Sequence, residues 1–464
     1  MQHDLLIIGA GSGGLTAAIF ASRIGLDVAL VDRSADAIGG ECLRAGCVPS
    51  KALLHKANEA HTAQKAQDIG IRTRGSVDWD RIQAYIDDVQ NDIKENESAE
   101  SLRQHGVSLY YGKASFQDPK TVTVDDKRIT ADNYVLATGS QPRNPQIPGL
   151  ESANTYTNES IFSIEEIPGK LVVVGGGPLG CELGQAFNRL GSDVTIIERG
   201  EHLLSQEPIQ ASQMLEEQFA DEGITVKLNT SVKSATPSTV RVDSEAENTI
   251  EQDGILLATG REVKTDDLAL SKAGVTTTNN VPDTDAYLQT SNDNIYCVGD
   301  ITGSYQFSHA AEHEATTVIK NLVLPYSEQI SYEEMPRVTY TKPRVASFGE
   351  TRSDLDASTY RYDTIPLAFD QSDRAIIEAD KGWGEVYVTG REIRGGCVVS
   401  DTADSLIQDL LTAQQTGLKT TDMASKLYPY PTKANIVKIS LLNQLQDKTP
   451  AFVPSLARFA YRYL

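Results

Sequence analysis

Two of the chain's few cysteines lie close together in the stretch GGECLRAGCVPSK, residues 39–51. Cys42 and Cys47 are five positions apart, and the chain of 464 residues has only 5 cysteines. In a reducing compartment, a close cysteine pair is more often redox-active or metal-binding than a structural disulfide. A regular helix would carry the two sulfurs apart, but the glycines of this stretch give the backbone freedom to bring them within disulfide distance. The pair is therefore a candidate redox disulfide.

The residues that follow the pair favour a reactive thiol. Pro49 is typical of the first turn of a helix, which would continue through KALLHKANEAH. Such a helix would place Cys47 near its N-terminus and close to Lys51, and both features lower the pKa of a thiol. Zinc is the alternative, but a four-coordinate site needs two further ligands, and the sequence has no second cysteine pair. We therefore predict redox chemistry and no metal site.

A dinucleotide-binding pattern occurs twice in the chain. In each copy an apolar strand leads into G-x-G-x-x-G, a helical stretch follows, and a second strand ends in an acid 18 residues after the last glycine. The glycines permit a tight turn, close approach of the backbone to a pyrophosphate and packing of helix on strand, and the acid accepts a hydrogen bond from a ribose. The fingerprint residues are Gly9, Gly11, Gly14 and Asp32 in the first copy and Gly175, Gly177, Gly180 and Glu198 in the second. Two complete copies predict two dinucleotides.

Three further strand ends indicate that one dinucleotide is a flavin, FAD. They read NYVLATGSQP (133–142), GILLATGREV (254–263) and NIYCVGDITG (294–303), and each ends an apolar strand at a glycine beside Thr or Asp. Asp300 is placed to bind a ribityl hydroxyl, with an ordinary turn aspartate as the alternative. The candidate cofactor contacts from these strand ends and the next helix are Thr138, Gly139, Gly260, Gly299, Asp300 and His309.

Composition limits the classes of function. The formal net charge of −22 repels nucleic acid and favours a protein that acts on small molecules, although a saline habitat is an alternative explanation for the acidity. The N-terminal apolar run spans only residues 5–8, unlike a signal peptide, and no stretch is long enough to cross a membrane. We predict a cytoplasmic protein with a small-molecule electron acceptor.

These motifs together resemble the flavin-dependent pyridine nucleotide-disulfide oxidoreductases, whose redox motif looks like GG-x-C-x4-C-[IV]-P-S-K. The similarity continues through GPLGCELGQAF (177–187), FSHAAEHEA (307–315) and PRVTYTKPRVASFGET (336–351). The sequence of residues 158–187 resembles the mercuric-reductase-like branch of the family. The resemblance implies two doubly wound Rossmann-like nucleotide-binding domains and an α+β dimerisation domain in a homodimer. The implied segments are 1–150 for the first part of the FAD domain, 151–264 for NAD(P), 265–330 for the FAD-binding or central part and 331–464 for dimerisation.

The resemblance also implies roles for the site residues. Electrons would pass from the nicotinamide to the flavin and then to the cysteine pair. Cys47 would contact the flavin and Cys42 would exchange with substrate, while Lys51 and Glu182 match the family's ion pair near the flavin. Glu198 favours NADH over NADPH because it would repel a 2′-phosphate. Arg199 is able to receive that phosphate, so NADP(H) stays an alternative.

The chain departs from the family at its proton relay. Tyr430 and Asn435 stand where the family's disulfide reductases carry His and Glu, and the last cysteine is Cys397, so a C-terminal metal-capturing pair is missing. His309 and His313 are possible substitute bases. The sequence therefore predicts an NAD(P)H-dependent flavoenzyme that reduces a small disulfide, a quinone or a soft metal ion. Two alternatives are a flavoprotein that only carries electrons and a dihydrolipoamide dehydrogenase or mercuric reductase proper.

Overall fold

The computed structural model describes residues 2–72, 75–243, 248–450 and 452–463. The helices are α1 Ser12–Arg23, α2 Gly40–Arg44, α3 Cys47–Lys65, α4 Trp79–Asn96, α5 Ala99–Gln104, α6 Pro178–Arg189, α7 Ile209–Asp221, α8 Ser308–Val323, α9 Arg352–Ala357, α10 Asp373–Ile377, α11 Ala403–Thr416, α12 Thr420–Ser425, α13 Asn435–Asp447 and α14 Val453–Tyr463. The strands are β1 Gln2–Ile8, β2 Val28–Asp32, β3 Ser108–Tyr111, β4 Ala114–Asp118, β5 Thr121–Val124, β6 Lys127–Leu136, β7 Gln141–Pro142, β8 Thr155–Tyr156, β9 Lys170–Val174, β10 Asp193–Ile197, β11 Thr225–Lys227, β12 Val232–Ala235, β13 Thr239–Val242, β14 Thr249–Glu251, β15 Gly254–Leu257, β16 Arg261–Glu262, β17 Thr277–Thr278, β18 Val281–Pro282, β19 Ile295–Cys297, β20 Arg337–Thr339, β21 Arg344–Gly349, β22 Asp363–Pro366, β23 Trp383–Thr389 and β24 Glu392–Ser400.

The first large sheet is built around β1. Its strand order is β3-β2-β1-β6-β5-β4, and β19 pairs with β6. In β1, Leu6 lies beside Ala29 of β2 and beside Tyr134 of β6, and both pairings are parallel. The apolar end of β1 is buried without a break, as expected for a parallel strand covered on both faces. With α1 between β1 and β2, this is the predicted strand–helix–strand unit.

The second large sheet repeats that unit around β9. Its order is β11-β10-β9-β15-β8, and all four pairings are parallel. The helix α6 connects β9 to β10, as α1 connects β1 to β2. Smaller antiparallel pieces accompany the two sheets, including the pair β7 and β16. The two doubly wound sheets confirm the predicted nucleotide-binding fold.

The C-terminal region has an antiparallel sheet with helices. Its order is β20-β21-β24-β23-β22. Residues of α11 and α13, among them Leu410 and Ile436, share a buried cluster with Val386 and Val398 of the sheet. This arrangement confirms the predicted α+β class of the region.

The chain divides into two compact units, residues 1–199 with 223–331 and residues 200–222 with 332–464. The two large sheets built around β1 and β9 belong to the first unit, and the antiparallel five-stranded sheet belongs to the second. The boundaries at 150 and 264 stay predictions, because the first unit contains both of them. Within the described part of the chain, no helix combines the length and apolar character needed to cross a bilayer.

Candidate functional site

The first glycine fingerprint is a tight turn in which two glycines leave no room for a side chain. Gly9 has φ +107°, and a Cβ there would lie 2.2 Å from the carbonyl oxygen of Ala137. A Cβ on Gly14 would lie 1.8 Å from the carbonyl oxygen of Gly9. Asp32, at the end of β2, accepts a hydrogen bond from the N–H of Ala10 at 2.7 Å. The acid therefore lies beside the turn, as a ribose-binding acid must.

The second fingerprint has the same construction. A Cβ on Gly175 would lie 2.3 Å from the carbonyl oxygen of Ala258, and one on Gly180 would lie 2.0 Å from that of Gly175. Glu198 accepts a hydrogen bond from the N–H of Gly176 at 2.6 Å. Around the would-be Cβ of the middle glycine, Gly177, no atom of the described residues lies within 4 Å, its two chain neighbours aside. This open space at the start of α6 fits a pyrophosphate approaching the backbone.

The cysteine loop lies on the first fingerprint. The N–H of Gly39 donates to the carbonyl oxygen of Ala10 at 3.0 Å. A Cβ on Gly40 would lie 2.5 Å from the Cα of Gly11, so only glycine permits this approach. Cys42 lies on the short helix α2, and Cys47 is the first residue of α3. The predicted helix after the pair is confirmed, and it places Cys47 at the helix N-terminus.

The two cysteines are free thiols with opposite pKa shifts. Cys42 is half-buried and Cys47 is exposed. A hydrogen bond from Cys42, followed by the charge of Lys51, lowers the pKa of Cys47 to about 6 against the opposing effect of burial. The same hydrogen bond and burial raise the pKa of Cys42. The pair therefore resolves into one thiolate, Cys47, and one thiol, Cys42.

Ser308 is a contact of the thiolate that sequence reasoning missed. Its Oγ lies 3.8 Å from the Sγ of Cys47, and it contributes to lowering the pKa of that thiol. Ser308 is the first residue of α8, so a second helix N-terminus meets the cysteine loop. In the stretch FSHAAEHEA the histidines are the residues with evident chemistry, and no spacing rule marks Ser308 as a contact of the redox pair.

Lys51 and Glu182 form the ion pair that the resemblance implied. The Nζ of Lys51 on α3 lies 2.7 Å from the Oε2 of Glu182 on α6. The Glu182 side chain is 4% exposed and that of Lys51 is 37% exposed. The pair therefore links the cysteine helix to the helix of the second fingerprint.

A polar cluster forms where β6 and β19 end. Asp300, in the 3₁₀ turn Gly299–Thr302, accepts a hydrogen bond from the Ser140 hydroxyl at 2.5 Å. The Nε of Arg261 lies 3.4 Å from the Oδ2 of Asp300. Burial raises the pKa of Asp300, and Ser140 and Arg261 oppose that effect. This half-buried carboxylate, with a hydroxyl and a guanidinium as partners, fits the predicted ribityl contact.

The remaining predicted cofactor contacts surround these elements. Gly299 donates its N–H to the buried Glu314 at 2.5 Å. Gly139 and Gly260 have open space at their would-be Cβ positions, and Thr138 is exposed just after β6. His309 is exposed at the start of α8, where its ring stacks on Phe307 with centroids 5.3 Å apart.

Tyr430 belongs to the second compact unit. It is 77% exposed, and its hydroxyl donates to the Oδ2 of Asp373 at 2.6 Å. This hydrogen bond raises the pKa of Tyr430, so the phenol stays protonated at neutral pH. Asn435 is the first residue of α13.

The other three cysteines, Cys181, Cys297 and Cys397, are buried. Cys181 donates to the carbonyl oxygen of Gly176 at 3.3 Å. Burial raises the pKa of both Cys297 and Cys397. Their thiols are therefore protonated and poorly reactive.

Comparison with known proteins covers almost the whole chain. Residues 3–315 match the family described as pyridine nucleotide-disulphide oxidoreductase, and residues 335–440 match that family's dimerisation domain. The chain is 33% identical to a mercuric reductase of Lysinibacillus sphaericus in an alignment of 461 positions that covers 96% of this chain and 83% of the relative. It is 31% identical to a dihydrolipoyl dehydrogenase of Chlamydia trachomatis over 463 residues, covering 97% of this chain and 98% of the relative.

A solved structure with the same fold is a Cu(II) complex of the HOCl-induced flavoprotein disulfide reductase RclA from Escherichia coli. The TM-score is 0.83 at 24% sequence identity, and the match covers 94% of this chain and 99% of RclA. This likeness extends the agreement in fold through both fingerprints and the C-terminal region.

Proposed function

Because the chain belongs to the pyridine nucleotide-disulphide oxidoreductase family, we propose that it passes electrons from NADH through bound FAD and the Cys42–Cys47 pair to a small acceptor. Members of this family depend on FAD and use NAD(P)H. The observation that carries the proposal is the position of the cysteine loop, which lies on the first fingerprint and presents a thiol with a pKa of about 6.

The first fingerprint would bind the FAD pyrophosphate at the start of α1, with Asp32 at the ribose and Asp300 at the ribityl chain. The same residue types at the second fingerprint would bind the nicotinamide dinucleotide. Further contacts are proposed for Thr138, Gly139, Gly260, Gly299 and His309. When bound, FAD supplies the two-electron chemistry that connects a nicotinamide to a disulfide.

The cysteine pair would store two electrons. Breaking a Cys42–Cys47 bond with two electrons and one proton gives the Cys47 thiolate and the Cys42 thiol, which are the protonation states that their pKa shifts favour. Lys51 stabilises the thiolate electrostatically and is itself positioned by Glu182. Cys42 would then be the thiol that meets the acceptor, and the disulfide re-forms as the acceptor takes the two electrons.

We propose NADH as the electron donor. The carboxylate of Glu198 lies at the second fingerprint, where it would accept from a ribose 2′-hydroxyl and repel a 2′-phosphate. Arg199 is exposed beside it, so NADPH is the competing donor.

The acceptor is proposed from the chemistry of Tyr430 and Asn435. A phenol with a raised pKa that is hydrogen-bonded to Asp373 is a poor base at neutral pH. The resemblance implies that His and Glu in these positions protonate the leaving thiolate of a disulfide substrate, and positioned acid–base catalysis is typically worth about 10²–10⁴ in rate. We therefore rank quinones and soft metal ions above disulfides as acceptors, with Tyr430 in a weakened relay role.

The family match to the dimerisation domain supports a homodimer. A small-molecule acceptor and a cytoplasmic location complete the proposal. The chain keeps both the Cys42–Cys47 pair and the Lys51–Glu182 ion pair. Their presence favours an enzyme over a flavoprotein that only carries electrons.

The test is NADH oxidation by purified protein with a quinone, a soft metal ion and lipoamide as separate acceptors. We expect turnover with the first two, slow turnover with lipoamide, and loss of turnover in Cys47→Ser. The double variant Tyr430→His with Asn435→Glu should raise lipoamide turnover selectively. Absence of NADH oxidation with every acceptor would contradict the proposal, and a lipoamide kcat above the roughly 10 s⁻¹ typical of enzymes would contradict the ranking.

A further inference from the structure

An ion pair next to the redox cysteine is formed by residues 220 positions apart in the chain. Glu41 directly precedes Cys42, and Arg261 begins β16. The Nη1 of Arg261 donates to the Oε1 of Glu41 at 2.6 Å, and its Nη2 donates to the Oε2. The two side chains are 22% and 26% exposed. This two-pronged geometry is the strongest form of an arginine–carboxylate contact.

Arg261 is also anchored by groups other than Glu41. Its Nε donates to the Ser140 hydroxyl at 2.6 Å, and its Nη2 donates to the carbonyl oxygen of Ser140 at 3.0 Å. Its backbone pairs with Pro142 of β7. Ser140 in turn donates to Asp300. An arginine held by strand pairing and by Ser140 can position the Glu41 carboxylate that it also binds.

The segment that Glu41 belongs to depends on such support. The helix α2 has only five residues, and a helix this short has little stability of its own. Its C-terminal carbonyl groups are also bound by distant side chains: Asn158 donates to the carbonyl oxygen of Ala45 at 3.0 Å, and Gln90 donates to that of Leu43 at 2.7 Å. Asn158 also donates to Glu41. Cys42 thus lies on a segment whose place is determined by side chains from other parts of the chain.

We propose that Arg261 is a positioning residue for the redox pair, acting through Glu41 to keep Cys42 in reach of Cys47. The inference rests on the proposed function of the pair but not on turnover. Removing either partner should let α2 shift, so the two sulfurs meet less often. The disulfide should then form less readily, and the hydrogen bond from Cys42 to Cys47 should be populated less.

The experiment measures the Cys42–Cys47 equilibrium in glutathione buffers on the purified, cofactor-loaded protein. Two glutathione thiols reduce the disulfide to a dithiol and leave as oxidised glutathione, so the exchange is balanced without NADH. Thiol labelling and mass measurement give the oxidised fraction. In Glu41→Gln and Arg261→Met we expect the equilibrium constant for disulfide formation to fall about tenfold, the effect of losing one charge-assisted hydrogen bond.

A second measurement separates positioning from general damage. The pH dependence of iodoacetamide labelling at Cys47 should move to higher pH in both variants. Lys264→Met is the matched control. Lys264 lies three residues after Arg261 and forms an exposed ion pair with Glu262, so its loss should change neither the disulfide equilibrium nor the labelling of Cys47. The double variant Glu41→Gln with Arg261→Met should lower the equilibrium constant for disulfide formation no further than either single variant, since the two residues act as a unit.

Several outcomes would overturn the inference. Unchanged equilibria in folded Glu41→Gln and Arg261→Met would do so, and so would additive losses in the double variant. Should Arg261→Met fail to fold, Glu41→Gln decides alone, because it keeps the shape of the side chain and leaves the Ser140 contacts intact. If the unaltered protein does not oxidise NADH but the two variants show the expected tenfold fall, the proposed function is rejected and the positioning role is kept.

Discussion

The two glycine fingerprints share their backbone construction but differ in what covers them. In both, the first and third glycines leave no room for a Cβ, and the acid binds the N–H of the residue after the first glycine. The first fingerprint is covered by the cysteine loop, whose Gly40 lies against Gly11. The second is open at Gly177. This contrast fits the proposal that the first site holds FAD through many turnovers, while the second exchanges its nicotinamide dinucleotide at each one.

The largest expected effect comes from the loop that covers only the first site. A Cys47 thiolate beside a bound flavin should produce a long-wavelength absorption band. Cys42→Ser should show this band without any reductant, because Cys47 is then free to ionise, and Cys47→Ser should lack it after reduction as well. Absorption spectra of the two purified variants check this. Equal spectra would mean that the loop does not place Cys47 at the first dinucleotide.

The matched variants Gly11→Ala and Gly177→Ala sharpen the comparison. Neither added methyl group meets a protein atom closer than 3.8 Å, so both proteins should fold. In Gly177→Ala the methyl group blocks backbone contacts to a pyrophosphate, and NADH binding should weaken about 10- to 100-fold, as expected for one or two lost charge-assisted hydrogen bonds. Gly11→Ala should instead lower the FAD content of the purified protein. Calorimetry measures NADH binding, and the flavin absorbance measures FAD content. If Gly11→Ala weakened NADH binding and Gly177→Ala lowered the FAD content, the assignment of the two ligands to the two sites would have to be exchanged.

The two acids proposed to bind ribose, Asp32 and Glu198, provide a smaller test. Glu198→Gln removes a charge that repels a 2′-phosphate, so kcat/KM for NADPH relative to NADH should rise about tenfold, since solvent screens part of the like-charge repulsion. Asp32→Asn should leave this ratio unchanged. If the unaltered protein already prefers NADPH, Arg199 outweighs Glu198 at the second site.

The smallest expected effect is a shift in pH dependence within the cysteine loop. The pKa of Cys47 is lowered to about 6, so its thiolate is present above that pH and is lost as the pH falls through about 6. In Cys42→Ser the hydroxyl still donates to Cys47, whereas Cys42→Ala removes the donor, and the titration of the band should move to higher pH by roughly one unit or more. Identical titrations in the two variants would show that Lys51 and Ser308, not Cys42, determine the pKa.

Much of the fold can be predicted from the sequence, because the patterns that specify its strands, turns and helices lie in neighbouring residues. Apolar runs that end at G-x-G-x-x-G predict strand, turn and helix from neighbouring residues alone, and β1–α1–β2 and β9–α6–β10 confirm both copies. The helix after Cys47 was equally local, since Pro49 and the following residues specify it. The missed contacts of the site have no such signal. Ser308 is one serine among many until α8 brings it 3.8 Å from Cys47.

Residue types at short, fixed spacings are enough to predict the two glycine turns, their acids and the cysteine pair. The folded chain is needed to show which turn the cysteine loop lies on and which side chains shift the pKa values of the thiols. Lys51 meets Glu182 across 131 positions, and Arg261 meets Glu41 across 220. The physical reason is that ion pairs between distant segments follow from how strands and helices pack, and packing is set by the burial of whole apolar faces, not by the charged residues at their edges.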